Sequence, residues 1–268
     1  KSHQLLHTHY TARGKYIAYL DDDDLYYPDH IDTLVTHLEK SCKKVAYTDA
    51  HRAHQKMTDA GYATVNRDIP YSWDFDRDLF LVTNYVPVLC FMHEKACLEE
   101  SGYFDETLTS HEDWDLWIRM SRKYDFEHIK KVTCEFSWRT DGTTMTSGNQ
   151  HDFFHTMEII YGKYRHIAQG NPLVLEAQKR NLDIMRPRAA DTDDNSASGV
   201  VVGEKGRVVA ASDEPRSAFA CSIVIPVFNQ LEFSRRCVEA IAANTGSGTA
   251  SAGFELIIVD NASTDGTE

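Results

Sequence analysis

Short apolar runs alternate along the 268-residue chain with stretches in which apolar positions recur every three or four residues. Residues 16–20 form one apolar run, and four aspartates follow at 21–24. A short apolar run that ends in polar residues is typical of a buried strand in a parallel sheet. Residues 30–38 place apolar side chains on one helical face just after Pro28, which predicts an amphipathic helix. The alternation predicts an α/β fold.

The same pattern continues through the first two thirds of the chain. Residues 45–47 predict a short strand, and residues 94–100 predict a helix that ends at Gly102, because glycine readily ends helices. Residues 114–121 predict another helix with a buried apolar side. We therefore assign residues 1–185 to one α/β unit, the C-terminal part of a domain.

The composition changes at residue 186. Residues 186–219 are rich in Ala, Asp, Ser, Gly and Glu, which predicts a flexible linker. Residues 220–268 then predict a strand at 222–226, a helix at 231–244 and a strand at 254–260. Such a βαβ unit cannot complete a domain alone, so we interpret it as the start of a second domain. The alternative is that it docks on the upstream unit, as in a circular permutant.

Charge and cysteine content limit the classes of partner. The chain has 28 Lys and Arg against 41 Asp and Glu, a net charge of −13. A net acidic chain is a poor partner for a phosphate backbone, so we predict no nucleic-acid binding, although a nucleotide remains possible. No apolar run is long enough to span a membrane. Six cysteines without a C-x-x-C pair predict reduced, mostly buried thiols and a cytoplasmic location.

The acidic run is the first motif with chemical meaning. Four carboxylates at the end of a strand are hard oxygen ligands that suit Mg²⁺ or Mn²⁺, and such a cation bridges phosphate oxygens. Close carboxylates also raise one another's pKa, and a cation would keep them ionised. The alternative is a solvated acidic loop or helix start, where aspartate is common. His3, His7 and His9 are a second, weaker candidate for a metal cluster.

Two further motifs are ambiguous by themselves. Residues 110–117 place Glu112 and Asp113 among tryptophans at a helix start, which suits either a general base with a raised pKa or an ordinary cap. The turns at 226–229 and 260–263 follow parallel strands, where α/β sheets bind ligands. Phe228 can stack on a base there, although the same residues are typical of plain turns.

Together these motifs resemble family 2 of the glycosyltransferases, which have the GT-A fold. The resemblance lies in residues 12–24, in 102–106 with 111–117, and in 221–229 with 254–267. It implies a GT-A-like, mostly parallel sheet flanked by helices, incomplete in this chain. The order and spacing of the motifs make the resemblance specific.

The resemblance also implies roles for individual residues. Asp113 would be the catalytic base, and Asp23 with Asp21 would ligate Mg²⁺ or Mn²⁺. The nucleotide would be bound by Asp21, Asp22, Pro226, Phe228, Asp260 and Asn261, and the acceptor by Glu112, Trp114, Trp138 and Arg139. Trp138 and Arg139 could equally border the diphosphate, and Trp138 could be core. Because family members often carry Asp-Asp where this chain has Asp260-Asn261, the donor base stays open.

The resemblance implies inverting, metal-dependent sugar transfer, and the absence of the Gln-x-x-Arg-Trp pattern of processive synthases favours transfer of single sugars. Expected partners are a nucleotide-diphosphate sugar and a glycan or lipid-linked acceptor of polysaccharide or glycoconjugate biosynthesis, with peripheral membrane association possible. One alternative is a sugar nucleotidyltransferase, although residues 227–230 do not form the glycine-rich loop that it needs. Another is an inactive sugar-binding or nucleotide-binding scaffold. Activity of this chain by itself stays open.

Overall fold

A computed structural model describes residues 12–59, 61–141, 150–186, 220–229, 231–244, 253–260 and 263–267. Its strands form one eight-stranded sheet in the order β2-β6-β3-β5-β1-β7-β8, with β4 paired to β3. The strands are β1 (Tyr16–Tyr19), β2 (Leu25–Tyr26), β3 (Val45–Thr58), β4 (Gly61–Asp68), β5 (Phe91–Glu94), β6 (Glu127–Trp138), β7 (Cys221–Val227) and β8 (Phe254–Asp260).

Helices pack against this sheet, which confirms the α/β class. They are α1 (His30–Lys40), α2 (Ala96–Ser101), α3 (Glu112–Ser121), α4 (Gln150–Lys163), α5 (Arg165–Ala168), α6 (Pro172–Met185) and α7 (Leu231–Asn244). The apolar face predicted for 30–38 is buried in α1. Within the described ranges, every helix is too short or too polar to cross a bilayer.

The sheet contains both parallel and antiparallel neighbours. Among the described strands, β1–β7, β3–β6 and β7–β8 pair parallel. The pairs β1–β5, β2–β6, β3–β4 and β3–β5 are antiparallel. Antiparallel neighbours need only a tight turn, as between β3 and β4, whereas parallel neighbours need a long crossover.

Strand β3 is much longer than the short strand predicted at 45–47. Its second half is polar and therefore lacks the apolar run that identifies a buried strand. This half is held instead by β6 on one side and by β4 on the other. The Arg52 side chain also pairs with Asp68 across the hairpin, with Nε 2.9 Å from Oδ1.

Two predicted helix starts moved by two residues. Helix α2 begins at Ala96 rather than at Glu94, because Glu94 belongs to β5 and pairs with Tyr16 of β1. Its predicted end is confirmed, since Gly102 follows Ser101 with φ +80°, a conformation that side chains disfavour. Helix α3 begins at Glu112, so Glu112, Asp113 and Asp115 lie in its first turn.

The βαβ unit at the end of the chain joins the main sheet. Its helix and second strand have the predicted bounds, and β7 pairs in parallel with β1, Tyr16 opposite Cys221. The structure thus adopts the docked alternative. That these residues open a second domain of a longer protein stays a prediction. Residues 187–219 of the predicted linker, Asn261 and the histidines at 3, 7 and 9 lie outside the described residues.

All six cysteines lie in the described part of the chain and are free thiols. Five are buried and Cys42 is exposed, which confirms the prediction of mostly buried cysteines. The sulfur atom of Cys90, the residue before β5, lies 3.7 Å from that of Cys134 in β6. These side chains serve the core as small apolar groups.

Candidate active site

A cleft of about 820 Å³ opens at the carboxyl end of β1. The acidic loop, residues 21–24, forms one wall, and the β3–β4 hairpin and the end of β6 form another. Pro226, Phe228 and Phe233 of the docked βαβ unit also line it. The carboxyl ends of neighbouring parallel strands meet at one edge of a sheet, which is why β1 and β7 bring their following loops together.

The acidic loop is fastened to the end of β6. The Ser137 backbone N–H donates to Asp24 Oδ1 at 2.9 Å, and the Ser137 hydroxyl donates to the Asp23 carbonyl at 2.7 Å. Burial raises the pKa of Asp24 well above its ordinary value, and the charges of Asp23 and Asp21 raise it further. Asp24 therefore anchors the loop, and no role in binding is needed to explain its position.

Asp23 faces a cation supplied by the chain itself. Arg139 Nη1 lies 3.3 Å from Asp23 Oδ2, and the Arg139 side chain is almost fully buried. Its Nε donates to Gln55 Oε1 at 2.8 Å, and its guanidinium lies over the ring of Tyr62, 4.3 Å from the centroid. Arg139 was predicted to bind the acceptor. In the structure it lines the cleft and contacts the predicted metal ligand, and its role towards the acceptor stays a prediction.

The remaining aspartates of the loop also face the cleft. Asp22 Oδ2 accepts a hydrogen bond of 3.1 Å from Ser234 in α7, which ties the loop to the docked unit. Among the described residues, no group of three or more His, Cys, Asp or Glu is arranged to hold a metal. Mg²⁺ in phosphate-binding sites typically takes one or two carboxylates together with substrate oxygens. The carboxylates of Asp21 and Asp23 in one cleft fit that type of site.

Asp113 lies just behind the cleft wall at the start of α3. The Asn84 side chain lines the cleft, and its Nδ2 donates to Asp113 Oδ2 at 2.8 Å. The Trp114 backbone N–H donates to Asp113 Oδ1 at 2.7 Å. Burial raises the pKa of Asp113 to about 7, with further increases from the charges of Glu112 and Asp21, while the two hydrogen bonds lower it. A carboxylate with this pKa can accept a proton near neutral pH.

The aromatic residues predicted to bind the acceptor have different positions. Trp114 is 2% exposed, and its indole Nε1 donates to the Phe80 carbonyl at 2.7 Å. It is a core residue, because a helix start at the sheet surface turns this side chain inward, so the acceptor role predicted for it is not supported. Trp138 is partly exposed and lines the cleft. Glu112 is partly exposed beside Asp113.

The docked unit brings some of its predicted residues to the cleft. Phe228 is 53% exposed at the cleft, so its ring is available for stacking. Asp260 is the last residue of β8, and its Oδ1 accepts from the Ser263 backbone N–H at 3.1 Å. The Ser263 hydroxyl accepts from the Asn229 N–H at 2.7 Å, so Ser263 connects the end of β8 to the loop that carries Phe228. A direct contact of Asp260 with a base stays a prediction.

Three residues of the site had no signal in the sequence. Asn84 is a lone polar residue outside any motif, and Tyr62 lies in a hairpin strand without an apolar pattern. Phe233 reads as an ordinary apolar position of helix α7. Asn84 can be recognised as a site residue only in the folded structure, where it lies next to Asp113. No local pattern identifies it.

Comparison with known proteins gives one family. A family profile described as Glycosyl transferase family 2 matches residues 4–98 and 222–268, which together exceed half of the chain. An uncharacterized protein of Sinorhizobium fredii is 30% identical over 258 residues, which are 95% of this chain and 24% of that protein. An uncharacterized glycosyltransferase of Rickettsia felis is 20% identical over 266 residues, 94% of this chain and 40% of that protein.

Solved structures add a weaker likeness. The crystal structure of S. aureus TarS 1-349 in complex with UDP-GlcNAc is 16% identical, with a TM-score of 0.43. The match covers 57% of this chain and 44% of that one. The chain thus spans less than half the length of the relatives named here.

Proposed function

The chain belongs to glycosyl transferase family 2, and from that premise we propose that it transfers a sugar from a nucleotide-diphosphate donor to an acceptor hydroxyl. One observation supports this most: a single cleft is lined by the acidic loop, by Phe228 of the docked unit and by Asn84, which holds Asp113. A donor site and a proton acceptor therefore lie within reach of one substrate-sized space.

The donor half of the proposal rests on the acidic loop and the docked unit. Phe228 stacks on the base of the nucleotide, and Pro226 shapes the floor beneath it. Asp21 and Asp23 hold Mg²⁺ or Mn²⁺, with Asp22 kept in place by Ser234. When bound, the cation neutralises charge on the diphosphate leaving group. Arg139 pairs with the Asp23 carboxylate, for which it competes with the cation, and adds positive charge at the same edge of the cleft.

The acceptor half of the proposal rests on Asp113. Direct displacement with inversion forms a bond from the acceptor oxygen to the anomeric carbon while the bond from that carbon to the diphosphate oxygen breaks. The acceptor hydroxyl loses its proton to Asp113, whose pKa of about 7 suits this transfer. Asn84 keeps the carboxylate oriented by donating to Oδ2. Glu112 and Trp138 border the acceptor, for which a glycan or lipid-linked glycan is the class we propose.

Metal-dependent nucleotide binding tests the donor half. We expect uridine, guanosine or thymidine diphosphate to bind the chain with Mn²⁺ and much less in its absence, as measured by calorimetry. Asp23→Asn removes one metal ligand and should weaken this binding at least about tenfold. Asp125→Asn is the matched control, because Asp125 is an exposed carboxylate that pairs with Lys43 and Arg77.

The outcome separates the enzyme from a scaffold. If no nucleoside diphosphate binds in a metal-dependent way, the donor site is refuted, and a scaffold role is favoured. If binding is found but survives Asp23→Asn unchanged, the assignment of Asp23 is wrong. A screen of nucleotide sugars for sugar transfer or nucleotide release then identifies the donor.

A further inference from the structure

Trp73 is the most exposed of the four tryptophans in the chain. It lies in the segment that follows β4, and it is 46% exposed, whereas Trp114 and Trp117 are buried and Trp138 is partly exposed. A single apolar residue at the surface needs no explanation by itself. What indicates a binding role for Trp73 is the way in which it is held and the groups that surround it.

The residues around Trp73 fasten this segment to the sheet. The Tyr47 hydroxyl of β3 donates to the Trp73 carbonyl at 2.7 Å. The Ser72 hydroxyl donates to Asp49 Oδ2 at 3.0 Å, and Asp74 lies 2.9 Å from each of two side-chain nitrogens of β6. The indole is therefore held at the surface on a fixed backbone. A group that is fixed before binding loses little conformational entropy when a ligand arrives.

Tyr71 connects Trp73 to the cleft. It lines the cleft, and its ring centroid lies 6.1 Å from that of Trp73, with the two planes at 83°. Both rings also border a small cavity of about 10 Å³, and Pro87 lines this cavity as well as the cleft. The two nearly perpendicular rings form a corner that continues the cleft wall outward. Their separation is similar to the length of one sugar unit, so the next unit of a chain that leaves the cleft reaches Trp73.

The chemistry beside Trp73 suits a carbohydrate. A sugar ring carries C–H groups on its faces and hydroxyl groups around its edge, so it binds to an aromatic face that has polar neighbours. Ser72 and Asp74 flank the indole and are exposed, and the Asp74 carboxylate, 70% exposed, can accept further hydrogen bonds from hydroxyls. A membrane surface is a poorer fit, because headgroup-binding surfaces are typically basic, and here Asp74 and Asp76 are exposed.

We propose that Trp73 and Tyr71 form a subsite for one sugar unit of a glycan whose end lies in the cleft. The indole packs on the C–H face of this unit, and Ser72 and Asp74 bind its hydroxyl groups. That this glycan is the acceptor rests on the proposed function, whereas sugar binding at Trp73 does not. The subsite favours acceptors of several sugar units over single sugars, a choice that the proposed function leaves open.

Binding of neutral sugars to the complete 268-residue chain tests the subsite. The probes are linear pentamers of glucose and of N-acetylglucosamine, with the two monosaccharides for comparison. We expect at least one pentamer to bind at least about tenfold more tightly than its monosaccharide in calorimetry, because only a chain of units reaches from the cleft to Trp73. Binding should also shift the tryptophan emission, since the indole passes from water to a sugar face.

Variants at Trp73 locate this binding. Trp73→Ala should weaken binding of the pentamer at least about tenfold. Trp73→Phe keeps an aromatic face, so it should retain most of the affinity, and it keeps the proposal testable if the alanine variant has a much lower Tm. The matched control is Ile69→Ala, because Ile69 is 48% exposed in the same segment but has no aromatic ring. This control should bind the pentamer as the native chain does.

Three outcomes overturn the proposal. The subsite is refuted if neither pentamer binds, or if the pentamer binds Trp73→Ala as tightly as the native chain. The third outcome concerns vesicles of phosphatidylglycerol and phosphatidylethanolamine, tested by sedimentation. Vesicle binding that depends on Trp73, without sugar binding that depends on it, would assign this surface to a membrane contact instead.

Turnover distinguishes a failure of the subsite from a failure of the proposed function. With the identified donor, Trp73→Ala should raise KM for an acceptor of several sugar units at least about tenfold and leave kcat unchanged. Native KM values in Trp73→Ala would refute the acceptor role of the subsite and leave the proposed function standing. If pentamer binding depends on Trp73 but no nucleoside diphosphate binds with Mn²⁺, the sugar subsite is supported and the proposed function fails.

Discussion

The acidic loop and the start of α3 both place carboxylates at the same cleft, but the groups that contact these carboxylates differ between the two regions. In the loop, Asp23 faces the guanidinium of Arg139. At the start of α3, the donors that reach Asp113 from the described residues are neutral, the Asn84 amide and the Trp114 N–H, and burial raises its pKa to about 7. Arg139 thus gives Asp23 a cationic neighbour, whereas burial beside neutral donors prepares Asp113 to take a proton.

Of the changes that distinguish the acidic loop from the start of α3, we expect Asp113→Asn to have the largest effect on activity. Loss of the only proposed base should lower kcat by about 10²–10⁴-fold, while metal-dependent nucleotide binding stays within about twofold of the native value. The measurement is sugar transfer with the identified donor, together with calorimetry of nucleoside diphosphate binding.

The matched control for this change is Asp125→Asn, the same substitution at an exposed ion-paired carboxylate, which should leave kcat unchanged. Turnover by Asp113→Asn near the native rate would remove Asp113 from the mechanism. Equal losses of nucleotide binding and turnover would show that Asp113 acts on the donor side instead.

A smaller effect is expected from Arg139→Met, which tests the pairing in the loop. The guanidinium competes with a metal cation for Asp23, so its removal should strengthen binding of Mn²⁺ alone at least about threefold. The control is Arg67→Met, because Arg67 pairs with Glu135 rather than with the loop. Unchanged or weaker Mn²⁺ binding in Arg139→Met would show that the arginine does not compete for this carboxylate.

The smallest expected effect is on how the stability of the metal-free chain depends on pH. Asp113 has a pKa of about 7 when folded against about 3.9 when unfolded, so its ionisation destabilises the fold progressively as pH rises between these values. Asp113→Asn removes this penalty. The Tm of the variant relative to the native chain should therefore rise by at least about 2 °C from pH 5 to pH 8.

Asp105→Asn is the control for this pH series. Hydrogen bonds from Lys163 and Thr107 lower the pKa of Asp105 to about 2, so its stabilising contribution is lost only as pH falls below about 4. The Tm difference of Asp105→Asn should stay constant from pH 5 to pH 8. A constant difference for Asp113→Asn as well would show that Asp113 has an ordinary pKa.

The sequence predicted those parts of the fold and site that local patterns encode. Helix α7 and strand β8 have the predicted bounds, because apolar periodicity and turn residues specify them. The cleft at the end of β1 was also expected from the acidic run. The β3–β4 hairpin was missed because a strand held by polar cross-strand pairs has no apolar pattern. Trp114 was misassigned because a motif does not show which side of a helix faces the core.

By itself, the sequence determined the family, the α/β class and the acidic and basic groups available for chemistry, since these depend on residue types and their spacing. Tertiary structure alone decided their partners. It put Arg139 on Asp23 and Asn84 on Asp113, and it joined β7 to β1. These contacts link residues far apart in the chain, and their charge and burial depend on how the whole sheet is assembled.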